Sequence, residues 1–157
     1  MSVDPLAVGS PSLLTAAMLR WFQQISVQGI LTTDTDLVIR SWNRCLEEHT
    51  GRAASEVIGR PLLEVVPELA SRGLDEYFRS ALAGQPRVLS HRFHRYLIPG
   101  RPGAPEKAQS AQIAPLEADG VIVGTIAVVD DVSERVASER VLKSRRGATS
   151  EAGFRRE

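Results

Sequence analysis

The chain has 157 residues, of which 43% are hydrophobic and 24% charged, as expected of one globular domain with its own core. Its 19 basic and 19 acidic residues balance, which argues against a nucleic-acid-binding protein that works through a broad basic field. A single cysteine, Cys45, allows no intramolecular disulfide, and no apolar run resembles a membrane span or a secretory signal. We therefore expect a cytoplasmic protein with no direct contact to membrane or nucleic acid.

The N-terminal region predicts one helix. Residues 1–10 contain proline and glycine and are predicted to be flexible. Ser10 and Pro11 are typical of a helix start, so a flanking helix is predicted over residues 11–28. Large apolar side chains recur on one face of this helix: Leu14, Met18, Trp21 and Ile25. This stripe either covers a sheet of the same domain or forms the seam of a dimer.

The pattern changes period after Gly29. Two segments rich in β-branched and aromatic residues, 30–33 and 37–42, flank an aspartate-containing turn and predict a hairpin. From Asn43, which can cap a helix through Thr50, to Gly84 the sequence predicts short helices interrupted by glycine and proline. The last of them carries an inward stripe at a spacing of four: Leu74, Phe78 and Leu82.

Three more strands are predicted over residues 88–97, 109–116 and 121–129, with a tight turn at Asp119-Gly120. The capping sequence 131–134 then begins an exit helix over residues 133–142, and residues 143–157 are predicted to be a disordered tail. Runs of strands and helices predict an α+β fold. It would contain a five-stranded antiparallel sheet with short helices on one face, flanked by the amphipathic N-terminal helix and the exit helix.

In this order the motifs resemble those of the PAS family. GILTTDTDLVIRSWN, at residues 29–43, is similar to the opening hairpin of that family, and Thr50-Gly51 with VIGRP at 57–61 is similar to its helical middle. The strongest similarity lies at residues 115–135, where a hairpin leads into DVSER, which resembles the D-I-T-E-R exit of the family. The resemblance covers about residues 20–142 and implies a PAS core over residues 29–132.

The resemblance implies a regulatory, sensory module in signal transduction. Such a module detects a small ligand or redox state, or mediates homodimerisation, and acts on an output domain or signalling partner through its exit helix. Asp131 and Ser133 are the expected relay residues, and plain helix capping would also explain them. The expected ligand pocket, between sheet and helices, is lined by Trp42, Asn43, Ile58, His91, Phe93 and Ile113.

A second hypothesis is a ligand-independent interaction scaffold whose interior is filled by its own side chains. The volume of the interior decides between the two hypotheses. Large side chains pointing inward would close the pocket, and outward orientation would leave room for a ligand. The deciding positions are Trp42, Phe93 and Ile113.

The cofactor stays open between none, haem and non-covalent flavin. Haem-binding members of the family often use a histidine on the helix before the third strand, and residues 75–82 contain none. His49 lies on an earlier predicted helix. His91 and His94 fall on the predicted third strand, where their odd spacing places them on opposite faces. One histidine is enough to ligate haem iron.

Light-sensing members of the family bond a flavin to a cysteine in an N-C-R-F-L-Q type motif. Cys45 lies earlier in the chain, within WNRCL at 42–46, and lacks that motif. Covalent flavin chemistry is therefore not expected, whereas Trp42 and Asn43 could stack on and hydrogen-bond a planar ring. The alternative for Trp42 is a half-buried aromatic residue of a strand.

No enzyme activity and no metal site are expected. Cys45 and His49 are spaced i, i+4, but no orienting group or oxyanion site accompanies them, and a small buried cysteine is the simpler interpretation. A cysteine-dependent enzyme would require a lowered pKa at Cys45. The exit segment is rich in basic residues between 135 and 146, which fit a solvated helix face as well as contact with an acidic partner or nucleic acid.

Overall fold

A computed structural model describes the backbone of residues 11–154 and the side chains of residues 12–146. The predicted α+β fold is confirmed. The strands are β1 (Gly29–Asp34), β2 (Ile39–Trp42), β3 (Arg87–Leu89), β4 (Gln109–Ala118) and β5 (Val121–Asp131). The helices are α1 (Pro11–Ile25), α2 (Arg44–Thr50), α3 (Ala54–Val57), α4 (Leu62–Val65), α5 (Glu68–Ser71), α6 (Asp75–Leu82), α7 (His91–His94) and α8 (Ser133–Phe154).

The five strands form one antiparallel sheet in the order β2-β1-β5-β4-β3. Leu31 of β1 pairs with Trp42 on one side and with Ala127 of β5 on the other. The β4–β5 hairpin turns at Asp119 and Gly120, whose φ angles of 51° and 77° are both left-handed. This confirms the predicted tight turn, because a two-residue hairpin loop with this twist requires positive φ at both positions.

The core lies between one face of the sheet and helices α2 to α6. Alternate strand residues such as Leu31, Ile113 and Ala127 are fully buried on this face. They pack in one cluster with Leu74 and Phe78, two residues of the predicted inward stripe of α6, against which Leu82 lies partly buried. The cluster places the sheet and the short helices in a single hydrophobic core.

The predicted third strand is wrong beyond Leu89. The side chain of Ser90 accepts a hydrogen bond from the backbone N–H of Arg92 and begins the single helical turn α7. This local bond offers the backbone an alternative to the strand ladder. His91 and His94 consequently share one helical turn instead of occupying opposite faces of a strand.

The two terminal helices differ in length from the predictions. Helix α1 ends at Ile25, before the predicted end at residue 28. The exit helix continues through residues 143–154, so the predicted tail is wrong over that range, where arginine, lysine, alanine and glutamate favour helix. Residues 1–10 and 155–157, predicted to be flexible and disordered, lie outside the described residues. Within the described chain, no helix combines the length and apolarity that a membrane span requires.

Candidate functional site

The space between the sheet and the helices is occupied by buried side chains. Trp42 and Ile113, two of the predicted pocket residues, are 4% and 0% exposed and belong to the core cluster. They fill the interior together with Phe78 and several leucines. Of the three positions expected to decide the volume, only Phe93 points away, since its side chain is 84% exposed.

The indole of Trp42 leaves one buried polar atom without a partner. Its Nε1 is buried from solvent, and the N–H finds no acceptor among the described residues. A buried N–H without an acceptor is unusual in a folded protein, because it loses its hydrogen bond to water without replacement. The indole is therefore the one predicted pocket residue in the core with a free polar group to offer a ligand.

Both amide atoms of the Asn43 side chain are engaged in hydrogen bonds to the backbone. Its Oδ1 accepts hydrogen bonds from the backbone N–H groups of Leu46, at 3.2 Å, and Ile30, at 3.0 Å. Its Nδ2 donates to the carbonyl oxygen of Gln28 at 2.8 Å. The predicted cap of α2 is thus confirmed, and the same side chain ties the start of β1 to that helix.

The remaining predicted pocket residues lie outside the interior. Ile58 follows α3 and is 44% exposed, and His91 and Phe93 lie on α7. The structure therefore brings together Trp42 and Ile113 in the core but does not bring the six predicted residues to one cavity.

A polar cluster lies at the end of the sheet where β4 begins. Gln109 is 3% exposed, and its Oε1 accepts hydrogen bonds from the backbone N–H groups of Leu97 and Ile98, at 2.9 and 3.0 Å. Its Nε2 donates to the carbonyl oxygen of Ile98 and lies 3.0 Å from Nε2 of His49. The amide thus joins the sheet, the loop before β4 and helix α2.

Gln109 is not among the functional residues predicted from the sequence. The available signal was its position, because it alternates with Ala111 and Ile113 on the inward face of β4. A polar residue at an inward position requires buried partners, and these come from residues more than ten positions away in the chain. No local pattern reveals such partners.

A groove of about 270 Å³ borders this cluster. It is lined by Cys45 and His49 of α2, Gln109 of β4, Asp131 at the end of β5, and Lys107. The predicted relay residue Asp131 therefore faces the same groove as the polar cluster. Lys107 Nζ lies 3.5 Å from the Asp131 carboxylate.

Asp131 and Ser133 connect the exit helix to the sheet. The Asp131 carboxylate accepts a hydrogen bond from the Ser133 N–H at 2.9 Å. Ser133 Oγ in turn accepts from the Ala108 N–H at 2.9 Å, and the Val132 N–H donates to the Ala108 carbonyl oxygen. Burial works to raise the pKa of Asp131, but the hydrogen bonds from Ser133 and the charge of Lys107 outweigh it, so that the pKa lies below its ordinary value.

Cys45 does not have the environment of an activated nucleophile. Its thiol donates to the carbonyl oxygen of Val27 at 3.3 Å, and burial and the nearby Glu48 carboxylate raise its pKa. The ring of His49 is engaged by Gln109 and Ile98. A thiol with a raised pKa is mostly protonated at neutral pH, which is the opposite of what a cysteine-dependent enzyme requires.

None of the three histidines belongs to the buried core cluster. His49 is hydrogen-bonded as above, and His94 Nε2 lies 2.9 Å from the Tyr77 hydroxyl. His91 lies on α7, away from the filled interior. Among the described residues, no group of three or more histidine, cysteine, aspartate or glutamate side chains is placed to hold a metal ion.

Comparison with known families and structures points to one fold. The family model described as PAS fold matches residues 25–137. No curated protein is significantly similar in sequence to this chain.

Several solved structures share this fold. A sensory box sensor histidine kinase from Vibrio cholerae is 22% identical with a TM-score of 0.57, over 77% of this chain and 95% of that chain. The PAS domain of BvgS from Bordetella pertussis is 18% identical with a TM-score of 0.62, over 85% and 98%. An RNA-binding light-oxygen-voltage receptor is 21% identical with a TM-score of 0.63, over 97% of this chain but 42% of that one. At these identities the similarity establishes the fold.

Proposed function

The chain belongs to the PAS family, and from that premise we propose that it is a sensory, regulatory module that acts through α8 on an output domain or a signalling partner. Family membership and neighbours that include a sensor histidine kinase support a role in signal transduction. The predicted cytoplasmic location, homodimerisation and partner remain predictions.

The observation that carries the proposal is the junction between the sheet and the exit helix. Ser133, the first residue of α8, is hydrogen-bonded to Ala108. The residue that follows Ala108 in the chain is Gln109. Gln109 contacts helix α2 and the loop before β4. A change in this polar cluster therefore has a short hydrogen-bonded route to the start of α8. A ligand would act by favouring one arrangement of the helix over another.

The filled interior favours a second candidate function, a scaffold that signals without a small-molecule ligand. Trp42 and Ile113 occupy the space where a ligand would be expected. The unpartnered Nε1 of Trp42 supports the first candidate, because a ligand acceptor would satisfy it. Both candidates use the same junction, and they differ in what moves it.

Distances between spin labels test the relay. In a Cys45→Ser background, labels are attached to cysteines at Glu117 on the β4–β5 hairpin and Ser138 on α8, both exposed. The substitution Gln109→Met removes the amide of the polar cluster and is expected to shift or broaden the distance distribution. The exposed Gln112→Met on the same strand is the control and should leave it unchanged. An unchanged distribution in Gln109→Met would show that α8 does not respond to the cluster, and the relay would be abandoned.

A further inference from the structure

A second groove, of about 640 Å³, runs between the helical turn α7 and the exit helix. Five cationic side chains line it, Arg92 and Arg95 on the core side and Arg140, Lys143 and Arg146 on α8. We call it the basic groove. It shares no lining residue with the groove beside Gln109, and His91 is the one predicted pocket residue that lines it.

The positive charge of the basic groove is poorly compensated within the described residues. Arg95 pairs with Glu106 at 3.5 Å, whereas the other four cations form no ion pair with any described side chain. Glu139 is the one carboxylate among the residues that line the groove in the described chain. Because like charges face each other from two separate elements, an anion between them would attract both walls.

The basic groove also offers apolar contacts. Val136 and Leu142 of α8 both line it, the first half-buried and the second 53% exposed. The aliphatic stems of arginine and lysine add to this surface. His91 contributes a buried Nδ1 that has no hydrogen-bond partner among the described residues. The groove volume falls within the range of about 300–1,000 Å³ that is usual for small-molecule sites.

Arg95 holds a strained backbone at the edge of the groove. Its φ and ψ are 65° and −55°, and the Tyr96 N–H donates to the His94 carbonyl oxygen at 2.8 Å. This geometry is a classic γ-turn, a rare and strained conformation that persists only where neighbouring contacts impose it. The Gln109 N–H donates to the Arg95 carbonyl oxygen at 2.7 Å, so the groove is connected to the start of β4.

We propose that the basic groove binds a small organic anion with an apolar body, such as a medium-chain carboxylate or alkyl phosphate. The charged head lies between the arginine side chains of α7 and α8, and the apolar body lies along Val136 and Leu142. Binding joins the exit helix to the core. Only the consequence of that contact for signalling rests on the proposed function, and the binding itself does not.

Titration calorimetry with decanoate tests the proposal on the full chain. Decanoate is expected to bind more tightly than decanol, which lacks the charge, and than inorganic phosphate, which lacks the apolar body. The double variant Arg140→Glu/Lys143→Glu should weaken decanoate binding at least about tenfold, a change of about 1.4 kcal/mol. The control Arg135→Glu/Arg145→Glu makes the same charge change on the same helix, outside the residues that line the groove, and should bind within about twofold of the parent. Circular dichroism of both variants confirms that they are folded.

Several results would overturn the proposal. They are absence of decanoate binding to the folded parent, equal weakening in both double variants, or equal affinity for phosphate and decanoate. Tight binding of a single-stranded RNA oligonucleotide that decanoate does not displace would also overturn it, in favour of a nucleic-acid site. Calorimetry measures decanoate binding directly, so a failed spin-label relay test would not contradict the binding proposal. Absence of decanoate binding would likewise not contradict the proposed relay.

Discussion

At the scale of single residues, Gln109 has the largest set of buried polar contacts in the polar cluster. Replacing it with methionine keeps the size of the side chain but removes the acceptor for the N–H groups of Leu97 and Ile98. Two buried donors then lose their partner, and we expect a loss of about 2–4 kcal/mol in the free energy of unfolding, measured in urea. The control Gln112→Met on the exposed face should lose less than about 0.5 kcal/mol. Equal losses in the two variants would contradict the assigned role of the amide.

Asp131 predicts a pH dependence of stability. Its pKa is below the ordinary value in the folded protein, so the carboxylate stabilises the fold above its unfolded pKa of about 3.9. This stabilisation is lost as the pH falls through the folded pKa. Because the carboxylate is half exposed, we expect Asp131→Asn to cost about 1 kcal/mol or less at pH 7.

The same variant should show a shallower fall in the free energy of unfolding than the parent as the pH drops below about 4. Urea unfolding at a series of pH values provides the measurement. Asp130→Asn is the matched control, since Asp130 makes none of the contacts to Ser133 or Lys107. A parent and an Asp131→Asn variant with parallel pH profiles would show that the pKa of Asp131 is not lowered by folding.

At the scale of elements, β1 and β5 come unusually close at Gly124. A Cβ atom at this position would lie 1.9 Å from the backbone oxygen of Thr33, which cannot move without breaking the pairing of the two strands. We expect Gly124→Ala to cost about 3 kcal/mol or more in the free energy of unfolding. Gly73→Ala is the control, because its φ of 71° is left-handed but its Cβ would meet no atom within 4 Å. It should cost about 1–2 kcal/mol, and a cost equal to that of Gly124→Ala would contradict the steric argument.

The segment between β3 and β4 shows where sequence patterns stop being informative. Apolar residues in 88–97 occur on both strand faces and suggested a strand, but the polar groups of this stretch bond elsewhere. Arg72 stacks 4.1 Å from the centre of the Tyr96 ring, and the Tyr96 hydroxyl donates to Glu68 at 2.9 Å. These contacts come from α5 and the residue that follows it, so they override the local strand preference. The basic groove depends on the helical turn α7, which the sequence pattern did not predict.

At the scale of the whole molecule, the sequence predicted the architecture better than the site. The Asp119-Gly120 turn, the Asn43 cap and the strand-forming composition of β1, β2, β4 and β5 are local signals, and each appears in the structure where it was expected. The polar cluster at Gln109 and the basic groove combine residues that are distant in sequence and become neighbours only in the folded chain. Side-chain orientation within the core also depends on packing, which is why Trp42 and Ile113 fill the interior while Phe93 faces solvent.

The predicted homodimer depends on the apolar surface of helix α1. Its predicted seam is exposed, with Leu14 at 73%, Met18 at 50%, Trp21 at 56% and Ile25 at 53%. Leu13, Leu19 and Phe22 are also exposed, and Arg20 is the single charged side chain of the helix, so its apolar surface is wider than the stripe alone. Burying such side chains against a second copy stabilises a dimer by roughly 1.5–3 kcal/mol for each one that becomes fully covered.

Light scattering coupled to size exclusion therefore should give a dimer mass for the parent. Trp21→Glu introduces a charge into the seam that a dimer would bury without a partner, and we expect a monomer mass from this variant at the same loading concentration. Gln24→Glu adds the same charge at an exposed position outside the stripe and should remain dimeric. A parent that is monomeric at every concentration, or a Trp21→Glu variant that stays dimeric, would assign the apolar surface of α1 to a contact other than self-association.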